Sequence, residues 1–223
     1  MNYGQQNPGH EGETEQGWGQ IQRILSQIIP PAFPRRDFVV TDFGAVGDGI
    51  MDCTDAFRRV MLAANTAGGG RVVVPAGIYL TGPIHFKSNV NLYVSKEATV
   101  KFSQELEKYL PMVLNRFEGV ELYNYSPLIY SYGAVNIAIT GEGILDGNGD
   151  NEHWWPWKGL TQYGWQEGQA HQAEDRDVLF AMAEQNVPVE ERKFGSGHYL
   201  RPSFIQFYNS KNILIEGITV KDS

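Results

Sequence analysis

Two aspartates four residues apart, Asp146 and Asp150, flank a glycine-rich corner that runs from Gly141 to Gly149, and a tryptophan cluster, Trp154, Trp155 and Trp157, follows at once. Paired carboxyls are the usual tools of proton transfer to and from a reacting bond. Aspartate beside glycine is more often a turn former whose side chain accepts nearby backbone N–H groups, and Asp146 and Asp150 are read that way. The tryptophans offer flat apolar faces that a sugar ring can stack on, or that pack beneath a loop; packing is the preferred reading. Further on, Arg201 carries a guanidinium fork suited to a carboxylate, with His198 close by. An ion pair from Arg201 to Glu190 or Glu191 is an equal alternative, and Lys193 has a weaker claim on a ligand.

These side chains must be held by the elements around them. Residues 1–16 are polar, glycine-rich and without period, which predicts a disordered tail. Residues 17–37 read as a helix and linker: Ile21, Ile24, Leu25, Ile28 and Ile29 follow helical spacing until Pro30-Pro31 stops them. The expected job of this helix is to cover an open end of the fold, with partner binding as the alternative. Phe38–Phe43 reads as a strand and Gly44–Gly49 as a loop. Phe57, Val60, Met61 and Ala64 share one helical stripe, with Thr54 or Asp55 as its cap and Gly68-Gly69-Gly70 as its end.

From Arg71 onward strands dominate. Val90-Asn91-Leu92-Tyr93-Val94, Val135-Asn136-Ile137-Ala138-Ile139 and Lys211-Asn212-Ile213-Leu214-Ile215 superimpose without gaps, and a second short strand follows each. Repeats of this kind predict a parallel β-solenoid, with the first two copies two turns apart and the three asparagines stacked as an amide ladder. The wider spacing to the third copy implies an insertion over about 156–199. Within it Val178, Leu179, Met182 and Ala183 suggest a helix capped by Asp175 and ended by Pro188.

Composition narrows the function. With 26 acidic against 18 basic residues and a net charge of −8, the chain lacks the basic stripe of a nucleic-acid binder. The Gly-rich loop before the helix matches neither a Walker-type phosphate loop nor a dinucleotide fingerprint. The single cysteine, Cys53, allows no internal disulfide and reads as a buried thiol. No stretch is long and apolar enough for a membrane span, and none has the form of a secretory signal. Cytoplasm is therefore the default expectation, with secretion or a periplasmic place if a leader has been trimmed.

Asp42-Phe43-Gly44-Ala45 with Gly47-Asp48-Gly49, then Val74-Pro75-Ala76-Gly77-Ile78-Tyr79, resembles the opening of pectin-active right-handed parallel β-helices. The Gly143–Gly149 run with Trp154-Trp155, Arg201-Pro202 and the run Asn209–Gly217 resemble the polygalacturonase family of glycoside hydrolases. The resemblance implies an all-β, pectin lyase-like fold over residues 38–223 and inverting cleavage of α-linked galacturonate in pectin or its oligosaccharides, without metal or organic cofactor. It also implies catalytic carboxylates from an Asn-Thr-Asp motif and an Asp-Asp pair, with a Gly-His-Gly histidine and an Arg-x-Lys pair. Inversion suits carboxyls roughly 6.5–9.5 Å apart with a water between them.

None of those motifs is present. Asn65-Thr66 is followed by Ala67, no Asp-Asp pair occurs, and Gly197-His198-Tyr199 lacks the second glycine. The expectation is that the catalytic residues lie beyond Ser223, that these 223 residues are inactive alone, and that their open last coil promotes self-association. A long insertion closing one end of the groove would favour exo action. The alternative is a non-catalytic polysaccharide-binding or structural β-helix, such as a tailspike-like adhesin. In either case the expected substrate contacts are Arg201, His198, Trp154, Trp155 and Trp157.

Overall fold

A computed structural model describes residues 17–223; the tail expected over residues 1–16 lies outside the described residues. The chain divides into two units, Met1–Pro30 and Pro31–Ser223. In the first, a short 3-10 turn, Gly17–Gln20, leads into helix α1 (Ile21–Gln27), none of whose residues is buried. No helix among the described residues is long and apolar enough to cross a membrane.

The second unit is a parallel β-helix. Its first sheet stacks β1 (Asp37–Val39), β3 (Gly70–Val74), β6 (Val90–Val94), β11 (Val135–Gly141) and β15 (Lys211–Glu216) in that order. A second stacks β2 (Asp48–Asp52), β4 (Gly77–Thr81), β7 (Ala98–Phe102), β12 (Ile144–Asp146) and β16 (Thr219–Lys221). A third holds β5 (Ile84–His85), β10 (Ile129–Tyr132) and β14 (Ile205–Tyr208). Every pairing in these three sheets is parallel, so apolar residues at alternate positions stack on their counterparts in the next coil. Val72, Leu92 and Ile139 form one such column, and Val100 and Leu145 another, all fully buried. Helix α2 (Thr54–Thr66) adds Phe57, Val60, Met61 and Ala64 to this core, the stripe expected from its spacing.

Several expectations need correction. Strand β1 ends at Val39 and the chain turns through a 3-10 segment, Val40–Phe43. Neither Thr54 nor Asp55 caps α2: the preceding Asp52 accepts the Thr54 N–H at 2.9 Å. The first two sequence copies are adjacent coils and not two turns apart, because β6 and β11 pair directly. Their register is shifted by two residues, Asn91 facing Ala138, so the ladder begins at Asn89. Asn136 Nδ2 donates to Asn89 Oδ1 at 3.2 Å, and Asn212 Nδ2 donates to Asn136 Oδ1 at 3.0 Å. All three rungs sit in the left-handed region, with φ of 63°, 59° and 54°, which asparagine tolerates better than other side chains.

Two long turns leave the coils. Between β7 and β10 the chain makes the antiparallel hairpin β8 (Val113–Phe117) and β9 (Val120–Asn124). Between β12 and β14 it makes helix α3 (Gln172–Glu184) and strand β13 (Lys193–Phe194), which pairs with β9 and ties the two turns into a fourth sheet. Leu122, Leu179, Phe194 and Leu200 bury a second, smaller core there. Val178, expected on the buried stripe of α3, is 53% exposed. The cap of α3 is His171, whose ring accepts the Ala173 N–H, and not Asp175.

Candidate functional site

The glycine corner does what its residue types suggested. Asp146 lies at the end of β12, in register with Lys221 of the next coil, whose ammonium sits 2.9 Å from its carboxylate. Its other oxygen accepts the Asn148 N–H at 2.8 Å. Asp150 accepts the N–H groups of Glu152 and His153, each at 2.8 Å, together with the Gln104 amide. Desolvation pushes the Asp150 carboxyl up, but those N–H groups and the His153 ring outweigh it and hold it at about 2. A carboxyl so acidic is ionised at neutral pH and has no proton to donate.

The chain then turns sharply at Trp154. Its φ of 64° and ψ of −49°, with Trp155 N donating to His153 O at 2.7 Å, describe a γ-turn, a strained conformation for a bulky residue. The turn drives the Trp154 indole inward, where only 8% of the residue is exposed. Trp154 meets Tyr109 and Trp157 edge to face at 5.2 and 5.4 Å, and Trp157 meets Tyr199 at 5.2 Å. The Trp154 indole N–H has no partner among the described residues. Trp155 points elsewhere, its indole N–H donating to the Ser223 carbonyl at 3.0 Å.

Below this cluster lies a cleft of about 420 Å³ between the hairpin β8–β9, the corner and the return of the long turn, with Trp154 and Arg201 in its wall. A smaller cavity of about 240 Å³ adjoins it, lined by Trp155, Lys158, Tyr163, Arg201 and Ser223. Lys158 and Arg201 line both. Burial pushes the Arg201 guanidinium down from its ordinary value. Its one hydrogen bond among the described residues runs from Nε to Gln172 Oε1, at 3.4 Å. Arg201 precedes β14 by four residues and opens no strand, and neither Glu190 nor Glu191 pairs with it.

His198 is not in this cleft. Its Nδ1 lies 2.7 Å from Asp175, and its ring packs edge-on against Phe194 at 5.1 Å. Asp175 also accepts the Tyr199 N–H at 2.6 Å, so the aspartate read as a helix cap fastens α3 to the returning chain. Of the five expected contact residues, then, the structure gathers Arg201, Trp154 and Trp155 at the two cavities, sets Trp157 behind Trp154 and leaves His198 outside. Lys158 and Gln172 were missed. Lys158 follows directly on Trp-Pro-Trp, which was a usable signal, whereas Gln172 meets Arg201 only through the fold. Among the described residues no group of three or more His, Cys, Asp and Glu side chains is placed to hold a metal.

A stack of parallel coils with a cleft formed against its longest turn is the architecture of a parallel β-helix. Residues 38–191 match the family described as rhamnogalacturonase A/epimerase, pectate lyase-like, and the chain belongs to that family. It is 54% identical to a hyperthermoactive exopolygalacturonase from Thermotoga maritima whose crystal structure superimposes with a TM-score of 0.88, over 91% of this chain and 45% of that one. It is 34% identical over 118 residues to an exo-poly-alpha-D-galacturonosidase from Dickeya chrysanthemi, which is 49% of this chain and 19% of the relative. A plasmin and fibronectin-binding protein A from Streptococcus pneumoniae is 26% identical over 204 residues, 90% of this chain and 23% of its own length. The chain thus spans less than half the length of each of these relatives. The polygalacturonase resemblance and the parallel β-helix read from the sequence are both borne out.

Proposed function

We propose that this chain supplies the first coils and a uronate-binding cleft of a glycoside hydrolase that acts on α-linked galacturonate, with the reacting carboxylates contributed from outside these 223 residues. The observation that carries the reading is the uncompensated positive charge of the cleft. Lys158 and Arg201 line it and meet no carboxylate among the described residues. Leaving a half-buried guanidinium unpaired is costly, and a sugar carboxylate offers its fork two parallel hydrogen bonds. Trp155, which lines the smaller cavity beside these cations, offers apolar surface for the ring, with the buried Trp154 packed behind the site.

Exo action is part of the same proposal. The hairpin β8–β9 and the turn carrying α3 are fastened by the β13–β9 pairing and by Arg176 Nε on Glu118 at 2.7 Å, and together they wall the cleft on one side. A walled cleft admits a chain end and excludes the middle of a polymer. Calorimetric titration with digalacturonate and with an uncharged galactose disaccharide tests the binding site: selective binding of the uronate, lost on Arg201→Ala, is the expected result. Equal affinity for the two sugars would refute the reading. The adhesin-like alternative draws on the extensive similarity to the streptococcal binding protein. Turnover of polygalacturonate by the whole protein excludes it.

A further inference from the structure

Five charged side chains line the larger cleft: Arg116, Glu118, Lys158, Arg201 and Asp222. Three have partners of opposite sign. Glu118 holds Arg176 at 2.7 Å, Asp222 holds Lys221 at 3.0 Å, and Arg116 reaches Glu121 at 4.0 Å. Arg201 is anchored instead by a neutral amide, Gln172, which is itself only 8% exposed and stands in the first turn of α3. Three residues along that helix, Asp175 fixes the backbone of Tyr199, so one helix face grips the returning chain at two points around Arg201.

We propose that Gln172 is a positioning residue that orients the Arg201 fork toward the cleft without neutralising it, and so makes the site selective for free uronate over neutral or esterified sugar. The inference rests on the uronate-binding reading above. The chemistry is economical. An amide oxygen occupies Nε and leaves the two terminal nitrogens, with their parallel N–H bonds, for a ligand carboxylate. A carboxylate at position 172 would form the same contact but supply a competing counter-charge inside a desolvated pocket, where charge–charge interactions are strongest. An apolar residue would leave the charge and lose the orientation.

The test compares Gln172→Glu, Gln172→Met and Arg201→Ala by titration with digalacturonate and with the uncharged galactose disaccharide, each variant checked for fold by its melting temperature. Gln172→Glu is expected to weaken uronate binding by about tenfold or more, and Gln172→Met by about threefold to tenfold, as a hydrogen bond to a charged group is lost. Neutral-sugar affinity is expected to stay level, and the salt dependence of uronate binding to fall only in Gln172→Glu. If Arg201→Ala abolishes uronate selectivity while both Gln172 variants keep it, the role of Gln172 is wrong and the binding site stands. If Arg201→Ala itself changes nothing, the underlying reading fails. Should Gln172→Glu not fold, the methionine variant decides alone: unchanged selectivity there overturns the proposal.

Discussion

At the scale of single residues, the two aspartates that first suggest catalysis are both engaged in turn hydrogen bonds and charge contacts. Asp150 shows this through its acidity. Its folded pKa of about 2 lies below the ordinary carboxylate value of 3.8, so its contribution to stability is present above pH 4 and is lost as pH falls toward 2. Asp150→Asn should therefore lower the melting temperature at pH 6, by an amount that shrinks steadily from pH 4 to pH 2. A difference independent of pH would contradict that account. Asp146 is committed to Lys221 and to its own turn. In the whole protein Asp146→Asn should keep kcat within about tenfold, since loss of a proton donor or acceptor typically costs 10²–10⁴-fold. A fall of several orders with the fold intact would make Asp146 catalytic after all.

At the scale of elements, the asparagine ladder and helix α3 carry separable burdens. Asn136 sits mid-ladder, bonded both ways, in a left-handed conformation. Asn136→Ala should cost about 2 kcal/mol in chemical denaturation, and Asn136→Gly about half as much, because glycine relieves the backbone strain but not the lost amide bonds. Equal losses would mean the ladder alone matters. In the satellite core, Leu179 is fully buried against Leu122, Phe194 and Leu200. Leu179→Ala should cost about 3 kcal/mol and, on the proposed role of Gln172 on the same helix, also weaken the proposed uronate binding.

The sequence made the strands legible because each alternates apolar residues, and it made the ladder legible because asparagine recurs at their starts. It could not fix the register of β6. Ser88-Asn89-Val90-Asn91 offers two asparagines, and a slip of two residues leaves every side chain on its original face. Only the left-handed φ of Asn89 separates them. Arg201 was legible as a cation in need of a partner. Gln172 was not, since it lies 29 positions before Arg201 and the stretch between them carries no pattern that announces a contact.

At the scale of the molecule, close stacking of coils sets the tolerances. A methyl group at Gly141 would collide with the Val94 carbonyl of the coil beneath, and one at Gly217 with the Gly141 carbonyl. Gly141→Ala should therefore destabilise the whole stack by several kcal/mol, comparable with overpacking a core, and the loss of a cooperative unfolding transition would register it. If the cleft is walled as proposed, the whole protein acting on polygalacturonate should release small products from the outset. An early ladder of intermediate oligomers would exclude exo action.

Partners in the first sheet are 20 residues apart from Gly70 to Val90, 47 from Asn91 to Ala138 and 76 from Val135 to Lys211, yet the strands meet with the same parallel bonding each time. The scaffold thus ignores how far the chain wanders between rungs. Grafting a different excursion between Asp146 and Ile205 should change what the protein grips while leaving its spine intact, so new specificities are open to this architecture by lengthening a detour, with no redesign of the core.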